Sequence, residues 1–230
     1  MRSFYVSTPA TAHMTPKVVL DIIDTARCRE ARSGAFLRHL QLRAQALPTC
    51  ISFNSRAPAS CLFQFSVEYI ETAPRLIHAV DTCARDAGHE GLFTPFLDAA
   101  IRFFTNPSVL LSRYIGLDGL LISAYLCHRL MEDMYDNNHS FRRSQLVDLE
   151  ATRANLLVHE LIGEPFANEL DDAVAITVRQ IAGSPDYYDL NLDPFVAQAN
   201  NAAWDSMRQY WENLLVRNHI RFTLGNRRRR

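Results

Sequence analysis

Between Leu120 and Asp172, two of the histidines and three of the glutamates have residue types and spacings that can build a metal site on helices. His128 and Glu132 are four residues apart in LLISAYLCHRLMEDMYD, so on a helix they project from one side and can bind a single ion together. In ANLLVHELIGEPFANELDD, His159 and Glu160 are adjacent and point about 100° apart around a helix; both reach one ion only if it sits between their directions. Glu164 follows Gly163 and can turn back toward the same place. Nitrogen and carboxylate donors suit iron or another divalent metal. The expected ligands are therefore His128, Glu132, His159 and Glu160 or Glu164. Tyr125, on the face of His128, is the candidate catalytic donor to a substrate.

This set carries no established signature. HELIGE is not H-E-x-x-H, because Gly163 occupies the position four after His159, and the Glu-x-x-His spacing of ferritin-like di-iron sites is not found in this region. The chain has no G-x-S-x-G elbow, P-loop or G-x-G-x-x-G. Cys127 adjoins His128, but neighbouring helical residues diverge by about 100°, so they do not form a nucleophile and its base; a buried thiol is expected. Asp133, Asp136 and the DNNH turn at 136–139 offer oxygens to a cation without matching the EF-hand pattern. The competing reading is a metal-free core network, in which His128 and Glu132 hydrogen-bond each other.

The elements that must position these residues are two helices. Leu121, Tyr125, His128, Glu132 and Tyr135 share one side of the first, expected over 107–135 with interruptions at Gly116 and Gly119. Leu156, His159, Glu160 and Gly163 share one side of the second, expected over 149–182, where Gly163 ends one segment and Pro165 restarts it. Packed antiparallel, they would bring the two histidines together. The remaining apolar pattern predicts helices over 16–31, from Phe36 to Leu47, over 60–72, from Pro74 to Gly88, from Leu92 to Thr105, and one long helix from Asp193 to Asn218. Strand signals are nearly absent. The expected fold is an all-α, single-domain bundle of about eight helices spanning 15–224, with an arm at 1–14, a loop and sub-boundary at 48–59, and a basic tail at 225–230.

Composition limits the classes of function. With 48% hydrophobic and 21% charged residues in 230, the chain supports a packed core without disulfides. Its net charge of −1 supplies no general field for nucleic acid or an anionic membrane, so nucleic acid is not an expected partner; Arg227–Arg230 reads as a solvated tail. The five cysteines lack C-x-x-C spacing, and no signal-peptide run or window of about 18 apolar residues occurs, so a cytoplasmic protein with reduced thiols and no membrane segment is expected. The last helix is aromatic and carries more apolar residues than a single narrow stripe needs, which suggests a homodimer. Two functional classes follow: a metal-dependent helical enzyme of the non-haem iron oxygenase type, acting on a small molecule the sequence does not specify, and a non-catalytic interaction or structural module with a buried His–Glu network.

Overall fold

Apolar residues at three- and four-residue spacing run through nearly every segment, and they fold into helices that bury those stripes against one another. The computed structural model describes residues 16–106, 116–144, 149–183, 186–199 and 202–223. The chain begins with α1 (Pro16–Ser33) and α2 (Ala35–Ala46), followed by a short strand β1 (Ile51–Phe53). Next come α3 (Pro58–Asp86), α4 (Glu90–Thr105), α5 (Leu117–Asp136), α6 (His139–Ser144), α7 (Leu149–Ile162) and α8 (Phe166–Ala182). The short helices α9 (Asp186–Asp189) and α10 (Asp193–Gln198), then α11 (Ala202–Glu212), α12 (Leu214–Arg217) and strand β2 (Ile220–Phe222) complete the described chain.

The all-α class is the one expected, but the twelve described helices exceed the predicted number. Three differences account for this. Asn138, expected in a polar connection, instead starts α6: its Oδ1 accepts the backbone N–H groups of Ser140 and Phe141. Its Nδ2 donates to the carbonyls of Tyr187 and Leu190, so the amide is committed at both ends and is not a free cation ligand. The expected 193–218 helix is divided into α10, α11 and α12, and the SPDYYDLNLDP loop contains α9. Conversely, the two helices expected to meet at Pro74 are the single 29-residue helix α3, with Pro74 buried inside it. Proline there forfeits one helical hydrogen bond, but Ala73, Pro74, Leu76 and Ile77 are all buried, and tertiary packing outweighs that local cost.

The strand signals were too short to read. Three residues of β1, within the expected 48–59 loop, pair antiparallel with β2, Ile51 opposite Phe222 and Phe53 opposite Ile220. Buried residues on both sides of that segment belong to one core cluster.

Helix α5 lies at the centre, packed by α1, α3, α4, α6, α7 and α8. It is buried on nearly all sides, so its buried residues do not form a single apolar stripe. Its described start is Leu117; residues 107–115 of the expected longer helix lie outside the described residues. The arm at 1–14 and the tail at 225–230 lie outside them as well. Trp204, Met207, Trp211, Leu214 and Leu215, the residues that suggested self-association, are buried in the chain's own core. Among the described residues, no helix is long and apolar enough to cross a membrane.

Local geometry fixes two of the turns beside the central layer. Gly34, with φ of 59°, separates α1 from α2, and the carboxylate of Glu30 reaches across the break to accept the N–H groups of Phe36 and Leu37. These are two of the donors that a helix start leaves unpaired. Gly163 ends α7 with φ of 87°, and a Cβ there would lie 2.9 Å from the Arg43 guanidinium. That guanidinium donates to the Glu160 carbonyl at 2.5 Å, where cations favour a helix C-terminus.

Candidate functional site

Helices α3, α5, α7 and α8 meet around a chain of polar side chains in an otherwise apolar layer. Its centre is Glu132 on α5, only 8% exposed. One carboxylate oxygen accepts from Arg129 Nη1 at 2.5 Å and Asn155 Nδ2 at 2.8 Å; the other accepts from Thr152 Oγ1 at 2.9 Å. A buried carboxylate is stable only when its lone pairs are answered, and here three donors from two helices answer them.

The network extends in both directions from this centre. Toward α3, Asn155 Oδ1 accepts from the Tyr69 hydroxyl at 2.7 Å. Asn155 therefore donates to Glu132 and accepts from Tyr69; turning its amide over would set donor against donor and oxygen against carboxylate. Toward α8, Arg129 Nε donates to Asp171 Oδ1 at 3.0 Å, and the Tyr125 hydroxyl donates to the same oxygen at 2.7 Å. Arg129 thus bridges two carboxylates. Burial by itself would lower the pKa of this guanidinium, but Glu132 and Asp171 more than offset that and hold it above its ordinary value.

His128 occupies the same layer through different partners. Its Nε2 lies 3.2 Å from the Tyr69 backbone carbonyl and so carries the proton it donates there. The imidazole lies 4.4 Å from the Tyr69 ring and 5.7 Å from the Trp211 ring, centroid to centroid. Burial pushes its pKa down to about 4, against the opposing pull of the Tyr69 carbonyl and the Glu132 charge. At neutral pH it is an uncharged donor. Its Nδ1 has no hydrogen-bond partner among the described residues.

The candidate ligands are consequently divided among separate environments. His128 and Glu132 share a layer without hydrogen-bonding each other. His159, on α7, pairs through Nε2 with Asn168 Oδ1 at 3.0 Å and lies 3.7 Å from Asp171 Oδ2. It joins the outer end of the network beside Tyr125, whose ring centre is 6.3 Å from its own. Glu160 contributes its backbone carbonyl to Arg43, and the Glu164 side chain is exposed beyond the end of α7. Leu156, expected to mark the core-facing side of that helix, is 37% exposed, and Ala151, Ala154, Asn155, Val158 and Leu161 carry the buried side instead. The face that carries Asn155 meets α5 and carries the network. Among the described residues, no three His, Cys, Asp or Glu side chains gather closely enough to hold an ion.

Several network members were not singled out from sequence. Arg129 had a local signal, three residues before Glu132 on the same helix, and Thr152 and Asn155 had another, a polar pair at i, i+3 on an amphipathic segment. Tyr69 had none, because its role depends on a side-chain hydrogen bond from α3 to α7 across 86 residues of sequence. The Tyr125 hydroxyl is held above its ordinary pKa by burial and by Asp171, so it acts as a hydrogen-bond donor and not as a base near neutral pH. Burial likewise raises the Cys127 thiol, which keeps it protonated and unreactive.

No protein-family model, curated protein or solved structure matches this chain significantly. Function must be argued from the site alone.

Proposed function

We propose that the chain is a non-catalytic helical interaction or structural module, in which the His/Glu/Arg cluster fixes the register of four helices. The observation that supports this reading is the saturation of Glu132: Arg129, Thr152 and Asn155 engage both oxygens, and Arg129 is itself held by Asp171. A carboxylate recruited to a metal would have to give up these donors, leaving Arg129 Nη1 or Asn155 Nδ2 without its acceptor in a layer that water does not reach freely. His128 would offer only Nδ1, since Nε2 is committed to the Tyr69 carbonyl.

The test is thermal unfolding of the full chain with and without added Fe2+, Zn2+ or Mn2+. A ligand that binds the folded state raises Tm in proportion to RT ln(1 + [L]/Kd). No metal-dependent rise is expected, while His128→Ala should lower stability by about 1–3 kcal/mol through the unpaired Tyr69 carbonyl and the lost ring packing. A metal-dependent rise that disappears in His128→Ala would overturn the proposal in favour of a metal-dependent enzyme.

A further inference from the structure

An open cavity of about 660 Å3 is lined by residues of α1, α2 and α3, with Leu117 at the start of α5 and Tyr210 on α11. That volume is in the range that holds a drug-sized molecule. Its apolar lining comes from Leu37, Phe63, Val67 and Leu117; Leu37, Phe63 and Val67 are only partly covered by the chain.

Two carboxylates on one face of α3, Glu68 and Glu71, are set three residues apart against this apolar lining. Each is mostly buried, with side chains 14% and 24% exposed. Glu68 places one oxygen on Arg217 Nη2 at 2.7 Å, Arg217 Nε at 3.0 Å and Asn218 Nδ2 at 3.0 Å; among the described residues its other oxygen has only the Gln64 amide at 3.5 Å. Glu71 places one oxygen on Arg27, and its second takes no hydrogen bond among the described residues. Glu30, which also lines the cavity, is committed to capping α2. Among the lining residues are three carboxylates and the guanidinium of Arg27, with Arg217 paired to Glu68 from outside the lining. The Tyr210 ring is already flanked by Arg75 at 4.8 Å and Arg217 at 4.9 Å, so an incoming positive charge is directed to the carboxylates and not to that ring.

We infer that this cavity binds a small amphipathic organic cation, its ammonium group bridging the open oxygens of Glu68 and Glu71 and its apolar body lying on Phe63, Val67 and Leu37. An ammonium supplies three donors and no acceptor, which matches two half-engaged carboxylates; a carboxylate-bearing ligand would meet like charge. This site lies apart from the Glu132 network and does not depend on the reading given to that network.

The test is calorimetric titration of the full chain with 4-phenylbutylamine, 4-phenylbutanol and 4-phenylbutyrate, which share an apolar body and differ in their polar end. One-to-one binding of the amine at least about tenfold tighter than that of the alcohol is expected, corresponding to one charge-assisted hydrogen bond. In Glu71→Gln the advantage of amine over alcohol should shrink by about tenfold with the circular dichroism unchanged. Ala31→Trp, at an exposed position on the cavity mouth, should abolish binding of both without touching the core. Absence of amine binding, equal affinity of amine and alcohol, tighter binding of the butyrate, or amine binding that persists in Ala31→Trp would each overturn the inference.

Discussion

Two clusters of carboxylates, one around Glu132 and one around Glu68 and Glu71, are built from the same residue types but treat their charges differently. In the first, every oxygen of Glu132 faces a donor supplied by the fold, and Arg129 ties it onward to Asp171. In the second, Glu68 and Glu71 each engage an arginine through one oxygen, and both residues line a cavity. The comparison teaches that a residue's type and helical spacing do not distinguish a support from a site. What distinguishes them is whether the fold itself consumes the hydrogen-bonding capacity, since a consumed group stabilises the chain and an unconsumed one beside open apolar surface is available to a ligand.

Removing Glu132 tests the first half of this contrast most severely. Glu132→Ala strips Arg129, Thr152 and Asn155 of their shared acceptor at once and should cost about 3 to 5 kcal/mol in denaturant unfolding. A loss below about 1 kcal/mol would mean that the network is not a structural support.

A second effect, up to about 3 kcal/mol, comes from the depressed pKa of His128. Above pH ~6.5, imidazole is neutral in both the folded and the unfolded chain, and its contribution is fully present. As pH falls from ~6.5 toward about 4, the unfolded chain takes up a proton that the buried ring resists, so stability is lost across that window. Below it both states are protonated and the term changes no further. His128→Gln, which keeps a donor for the Tyr69 carbonyl, should flatten the part of the pH profile specific to the wild type between those limits. Equal slopes in the two proteins would show that the ring titrates normally.

Tyr69→Phe should have a smaller effect, about 1 to 2 kcal/mol, because it leaves the ring packing intact and only the Asn155 oxygen unpaired. A double-mutant cycle with Asn155→Ala should recover most of that energy as coupling. Additive losses would break the link between α3 and α7 that the relay describes.

On the cavity side, Glu71→Gln should change stability by less than about 1 kcal/mol, since its Arg27 partner is half exposed and screened by solvent. A cost approaching that of Glu132→Ala would erase the contrast between the two clusters and make Glu71 a support as well.

The sequence by itself determined the helical class and most of the helix limits. The apolar period is local, and the stops at Gly34, Gly88, Gly163 and Gly183 are written in single residues. It also singled out residues that come to lie in one layer, since His128 and Glu132 are in it and His159 meets Tyr125 at its edge. It did not determine how those residues are used. The continuity of α3 through Pro74, the pairing of β1 with β2, and the facing of Asn155 and not Leu156 toward α5 are each decided by contacts between segments far apart in the chain. Glu132 has both oxygens engaged because Thr152 and Asn155 arrive from another helix, while among the described residues no other segment places a donor on the second oxygen of Glu68 or Glu71. A side chain's hydrogen-bonding capacity is fixed by its chemistry, but whether that capacity is spent depends on which surfaces pack together, and that is a property of tertiary structure alone.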